Sequence, residues 1–264
     1  MTRKTLTVIF ISLLIAPGMT LHAHDMWLEP GPETPRGTSV IHQRIGHHFQ
    51  IVDTLPGATP GLTRFDFLAT GVPDQDFMPL WSELGELEVP MPDDRLALIS
   101  VERSPVIAHL DRDTFRSYLR EEGHHIETAD LPVTVNERYT RHLKAIVGTA
   151  TDTSPEVTTR QGLRFEIVPE VDPTQLSPGD YLPVTIYFNS APIEGVAVTL
   201  MSKTSDSDVS SSTERTDENG HAVVRIAGAA DLQLVRATHL RVCDSCADAE
   251  FESFWATLTF HTDD

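Results

Sequence analysis

Short runs in which apolar and polar residues alternate recur along most of this chain, and a period of two belongs to a strand with one buried face. Ser39 to Gly46 has this pattern and ends at the pair His47-His48. Residues 55 to 75 are rich in Gly, Pro and Thr and read as loop around one short strand, Phe65-Asp66-Phe67-Leu68. Leu87 to Val89 and Leu96 to Val101 predict strands on either side of a turn at Pro90 to Asp94, and Ser104 to Leu110 continues the sheet. One stretch has the helical period instead. Phe115, Tyr118 and Leu119 share a face, Asp113 can cap the start, and Gly123 stands where a left-handed residue ends a helix. Asn136 to Gly148 fits both periods; we read it as a strand, which requires Arg141 to face inward.

Thr149 to Gly162 is poor in large apolar residues and reads as a linker. After it, strand signals return at sandwich spacing: Leu163 to Val168, Tyr181 to Phe188, Val196 to Met201, Ala222 to Ile226, Leu232 to Thr238 and Phe254 to Phe260. Lys203 to Thr213, full of Ser and Asp, reads as a flexible loop, and Asp217-Glu218-Asn219-Gly220 as a turn with Gly220 at positive φ. The expected fold is therefore mainly β, in two parts. Residues 24–160 would form a β-rich domain with a short helix, and residues 161–264 an immunoglobulin-like or transthyretin-like β-sandwich.

The start of the chain changes this picture. Arg3 and Lys4 precede an apolar run from Leu6 to Ala16, and Pro17-Gly18 breaks it before Leu21-His22-Ala23. This is the layout of a secretory signal over residues 1–23, with cleavage after Ala23. The run is far shorter than the roughly 20 residues that a membrane-spanning helix needs, and no later segment supplies them. The expected mature chain is periplasmic or secreted, with no membrane span. Removing the signal takes away two basic residues and moves the formal charge from −19 to −21, which argues against nucleic acid as a partner.

Candidate chemistry begins at the same cut, because His24 becomes the first residue. A histidine with a free α-amine carries two nitrogens, the amine and Nδ1, that can close a chelate ring on a metal. Cys243 and Cys246, spaced Cys-Asp-Ser-Cys, read most simply as a disulfide in a surface loop, with a redox pair or two soft ligands as alternatives. Enzyme signatures are lacking: the sequence has no Gly-Xaa-Ser-Xaa-Gly elbow and no phosphate-binding glycine loop, and Asp111, Asp113, Glu121 and Glu122 read as a solvated helix face or as charge complementing its dipole.

His24-Asp25-Met26-Trp27-Leu28-Glu29-Pro30, Arg44-Ile45-Gly46-His47-His48-Phe49, Tyr118-Leu119-Arg120-Glu121-Glu122-Gly123, Thr216-Asp217-Glu218-Asn219-Gly220 and Phe254-Trp255-Ala256-Thr257-Leu258-Thr259-Phe260 follow one another across nearly the whole mature chain. In that order they resemble a family of exported bacterial proteins, described both as periplasmic components of nickel or cobalt uptake and as a domain of unknown function. The resemblance implies metal binding near the mature N-terminus, with His24, His48 and His239 as ligands and an inner-membrane transporter as partner. Transport systems of this kind use amine, amide and imidazole nitrogens of an exposed N-terminal segment. Here histidine stands first instead of second, which suits a two-nitrogen brace. The cofactor expected is a divalent transition metal, nickel or cobalt by resemblance and copper by chemistry, since such donors bind copper more tightly than nickel. His47, His124 and His125 are weaker candidates, because adjacent histidines in a strand or tight loop tend to point apart. The expected function is a non-enzymatic metal-binding accessory or carrier. A protein- or carbohydrate-binding module without metal is the alternative, and a copper brace oxidase stands behind both.

Overall fold

The computed structural model describes residues 25–53, 61–72, 77, 85–91, 95–149, 154–204, 208–227 and 232–262. The segment expected to be a secretory signal and His24 lie outside these residues, as does most of the turn expected at Pro90 to Asp94. In chain order the strands are β1 (Asp25–Glu33), β2 (Thr38–His47), β3 (Gln50–Asp53), β4 (Leu62–Leu68), β5 (Glu86–Pro90), β6 (Arg95–Arg103) and β7 (Val106–Asp111). The helix α1 (Arg112–Glu121) follows, then β8 (Thr134–Thr149), β9 (Phe165–Pro169), β10 (Tyr181–Phe188), β11 (Ala191–Pro192) and β12 (Ala197–Lys203). The last four strands are β13 (Val209–Arg215), β14 (His221–Arg225), β15 (Leu232–Val242) and β16 (Phe251–Phe260). The protein is mainly β, as the alternation predicts.

Three sheets stack as layers. The middle one runs β13-β12-β15-β16-β8-β6-β4, with β7 also paired to β8, and both of its faces are covered. Alternation along its strands divides the side chains. Leu96, Leu98, Ile146, Val198, Leu200, Val235, Ala237 and Phe254 face one way, onto Phe165, Ile167, Leu182, Val184 and Ile186 of the sheet formed by β9, β10, β11 and β14. Ile99, Val101, Leu143, Ala145 and Val147 face the other way, onto Met26, Leu28, Ile41, Leu87 and Val89 of the sheet formed by β1, β2, β3 and β5. Every residue of β16 is buried, as a strand covered on both faces must be.

β16 pairs in parallel with β8, from Phe251 opposite Glu137 to Thr259 opposite Ala145. The middle sheet is thus continuous across the segment where the sequence suggested a division between residues 160 and 161. A second tie crosses the same region. Lys144 Nζ, fully buried, donates to Glu166 Oε1 at 3.0 Å and to the Ile167 carbonyl at 3.0 Å, while the Glu166 carboxylate accepts from the amides of Gln161 at 2.7 Å and Gly162 at 2.9 Å.

Two local expectations are corrected. The span Lys203 to Thr213, expected as a flexible loop, contains most of β13, which pairs along β12 from Lys203–Val209 to Ala197–Arg215. As an exposed edge strand it buries almost nothing, so hydroxyl and charged residues fill it and the apolar signal of a strand is missing. The helix is capped by Asp111 instead of Asp113: Asp111 Oδ1 accepts from the amides of Asp113 at 3.1 Å and Thr114 at 2.9 Å. Its other end is as expected, with Gly123 at φ +68°. The helix packs Phe115, Tyr118 and Leu119 against Val135, Leu240, Phe251 and Trp255. Cys243 and Cys246 are joined in a disulfide between β15 and β16.

Candidate functional site at the start of the first strand

β1 lies across the middle sheet because the sheet supplies hydrogen-bond donors to it. Thr257 Oγ1 donates to the Met26 carbonyl at 3.0 Å and Thr259 Oγ1 to the Leu28 carbonyl at 2.5 Å. Asp25 opens the strand and pairs with Gly46 of β2. Just beyond Gly46, β2 turns into β3 through His48 and Phe49, at φ +47° and +60°. Positive φ at both central residues is the two-residue hairpin turn that Asn-Gly normally makes, and bulky side chains are strained there. Burial of Phe49 offsets the strain. Its ring meets Trp27 edge-on, with centroids 5.7 Å apart, in a cluster with Met201, Leu232 and Leu234. Gly46 is also required, since a Cβ there would fall 2.1 Å from the Gln50 carbonyl oxygen. The result is an exposed tip on which the rings of His47 and His48 lie 4.0 Å apart, centroid to centroid.

A buried charge network lies beside this tip. Arg236 Nη1 donates to Asp25 Oδ1 at 2.9 Å and to Glu122 Oε1 at 3.0 Å. Thr238 Oγ1 donates to Glu122 Oε2 at 3.3 Å and lies 3.2 Å from His124 Nε2. Burial opposes the charge on Arg236, but Asp25 and Glu122 outweigh it and hold the guanidinium above its ordinary value. Two carboxylates share one cation, and burial raises Glu122 despite Arg236. His124 is pushed down to about 4, first by burial and then by its neighbours His239, Arg215, Arg236 and His125. Asp25 Oδ2 is buried without a hydrogen-bond partner among the described residues.

A second network continues deeper. Glu137 Oε1 accepts from Tyr118 Oη at 3.1 Å and from Ser253 Oγ, and Trp255 Nε1 donates to Ser253 Oγ at 3.2 Å. Arg141 faces inward, as the strand reading of its segment requires, and lies over Trp255 with Cζ 4.8 Å from the ring centroid.

The proposed ligands do not all meet. His48 is on the exposed tip, whereas His239 projects from the opposite face of β15 into a nest of Phe165, Phe188 and Phe254. The tip's Phe49 packs on Leu234, which is five residues from His239, or about 17 Å of strand, and faces the other way. His239 is therefore not brought to His48. Burial, then Arg241, pushes it down to about 4. Among the described residues, the only grouping of His, Cys, Asp and Glu close enough to hold an ion is Cys243, Cys246 and Glu252. Its thiols are consumed by the disulfide, so it offers no soft ligands. Reading the sequence missed Asp25 and Arg236, and Glu122, expected on a solvated helix face or as charge complementing the dipole, is instead buried and paired with Arg236. The signal available was a charge at Arg236 between Leu234, Val235 and Ala237, in a strand otherwise apolar.

No curated protein matches the chain. Among solved structures, the D0-D1 domain of Intimin is similar at 15% identity, covering 90% of this chain and 98% of its own, with a TM-score of 0.24. A structure of native alpha-2-macroglobulin from Escherichia coli spanning domains MG0-NIE-MG1 is similar at 10% identity, covering 86% of this chain and 94% of its own, with a TM-score of 0.21. Neither likeness bears on function. The model of one family, described as Domain of unknown function (DUF4198), matches residues 21–240, and the chain belongs to that family.

Proposed function

We propose that this chain is an exported, periplasmic metal-binding accessory or carrier, without enzymatic activity of its own, that holds a divalent transition metal at the start of β1. His24, as the first mature residue, would supply its amine and Nδ1, and His48 a further imidazole. The observation that supports this reading is the pairing of Asp25 with Gly46. Asp25 thereby stands at the root of the tip that carries His47 and His48, and in a chain cut after Ala23 the residue bonded to Asp25 would carry the amine. Amine and imidazole donors suit nickel, cobalt, copper and zinc, and the resemblance to nickel and cobalt uptake proteins favours the first two. Delivery to an inner-membrane transporter follows from the same resemblance. The clasp of Asp25 by Arg236 would keep the origin of the site fixed.

The test begins with the mass of the exported protein, which should correspond to a chain starting at His24. Titration with nickel, cobalt and copper should then show one tight equivalent. Adding an alanine before His24, or replacing His48 with glycine, should weaken binding at least tenfold, while His239→Gln should leave it unchanged. Amine and imidazoles must lose protons to bind, so for an amine with two imidazoles the affinity should fall by at least about a thousandfold from about pH 7 to about pH 5. Equal affinity and an equal pH profile in the alanine-extended protein would overturn the reading.

A further inference from the structure

A second site lies where the chain leaves α1. Arg116, Arg120, His124, His125 and Glu127 rim an open cleft of about 510 Å³ whose floor includes Leu119 and Ile126. In a chain with 39 acidic and 20 basic residues, two arginines beside a single glutamate on this rim run against the average. The end of a helix normally repels anions, because its last carbonyls face outward. Here two of them are occupied. The His124 amide bonds the Leu119 carbonyl at 2.7 Å and the Gly123 amide the Arg120 carbonyl at 3.2 Å, the paired bonds of a Schellman turn. Arg215 of β13 reaches over and donates from Nη2 to the Gly123 carbonyl at 2.6 Å, adding a further positive charge.

Three acidic groups near the cleft have partners of their own. Glu127 Oε1 accepts from the amides of Thr128 at 2.9 Å and Ala129 at 3.0 Å, so it is turned to its own loop. Glu122 is held by Arg236 and Thr238. Asp113 lies 3.5 Å from Arg116 Nη1 at the far end of the helix. Of the two arginines, Arg120 is the less committed. Arg116 spends Nη2 on the Thr128 carbonyl at 2.9 Å, which fixes the loop, and turns Nη1 to Asp113, whereas exposed Arg120 bonds only the Ser117 hydroxyl, at 2.9 Å, among the described residues. Arg116 and Arg120 are one helical turn apart on the same face, a spacing of about 6 Å, so Arg120 presents a planar fork suited to an oxygen pair and Arg116 adds its charge beside it.

We propose that this cleft binds a small oxyanion with more than one negative charge, of the polycarboxylate or phosphate class, with Arg116 and Arg120 on one side and His125 on the other. Burial is the main reason that the His124 imidazole stays neutral, and the nearby Arg215 and Arg236 act in the same direction, which agrees with the sign of the ligand. The assignment is independent of the metal reading.

Calorimetric titration of metal-free, full mature protein with citrate and, separately, with inorganic phosphate at about 0.1 M salt tests it. One saturable equivalent of either anion at millimolar affinity or tighter is expected, and which anion binds identifies the class. Arg120→Gln and His125→Gln leave the loop's own hydrogen bonds in place and should each weaken binding at least fivefold, while Arg120→Lys should retain part of it. Arg36→Gln, an exposed charge in the turn before β2, controls for general electrostatics and should change nothing. The absence of saturable binding for both anions overturns the proposal, as does equal weakening by Arg36→Gln and Arg120→Gln.

Discussion

His142 has its ring almost completely buried, with Nδ1 3.2 Å from the Trp255 carbonyl, and burial pushes it down to about 4. His124 and His239 are lowered to the same level, so three imidazoles are neutral in the fold, while their unfolded counterparts take up protons near 6.5. The stability that they contribute is complete above about pH 6.5 and is lost as pH falls towards 4. The loss approaches 1.4 kcal/mol per pH unit for each well-buried imidazole and is smaller for the partly exposed His124 and His239. Glu122 and Glu137 act in the opposite sense, since burial raises them and the folded chain gains protons there on acidification. Urea midpoints between pH 7 and pH 4.5 should therefore fall, and His142→Gln should flatten the slope measurably. His48 tests a different contribution. Glycine at its φ of +47° should raise stability by about 1 kcal/mol while removing a proposed ligand, so stability and metal affinity should move in opposite directions. At this scale the sequence was informative about packing. Met26 and Trp27 are buried as apolar residues should be, but His124, read only as a weaker candidate ligand, gave no sign of its place in the charge network, because its partner Thr238 is 114 positions away and no periodicity links them.

The link between β8 and β9 depends on one buried ion pair. Burial lowers Lys144, and Glu166, itself inaccessible, also holds the Gln161 and Gly162 amides, so removing one partner leaves a charge without compensation. Lys144→Met should cost about 3–5 kcal/mol in chemical denaturation, and adding Glu166→Leu should recover part of that loss. A double variant less stable than the single one would show that the amide contacts, not the charges, matter most. Elements with a buried face were legible: β6, β10, β12 and β15 overlap their expected strands, and β8 resolved an ambiguous segment in favour of alternation. β13 was not legible. Its register depends on hydrogen bonds to β12 and on contacts such as Thr199 Oγ1 to Thr213 Oγ1 at 2.8 Å, which leave no trace in hydrophobicity.

The three layers share the middle sheet, and its strands come from both sides of residue 160. A chain ending there would expose the edge of β8 that β16 covers, together with the Leu96, Leu98 and Ile146 surface. Residues 24–160 made alone should therefore fail to give a protected core by hydrogen exchange, and the whole mature chain should unfold in one transition. Two independent transitions would show that the halves are autonomous. Strand content could be read locally, whereas the sharing of a sheet between distant segments could not, because parallel pairing needs no local turn to announce it. That pairing also sets a timetable. Asn136 at the head of β8 and Glu250 just before β16 are 114 residues apart yet bonded, so at ribosomal rates an early strand waits on the order of ten seconds for the strand that will flank it. During that interval its open edge is a target for any passing strand, and a chain threaded outward through a membrane pore would gain from the same delay, because it could not close before its later segments had crossed.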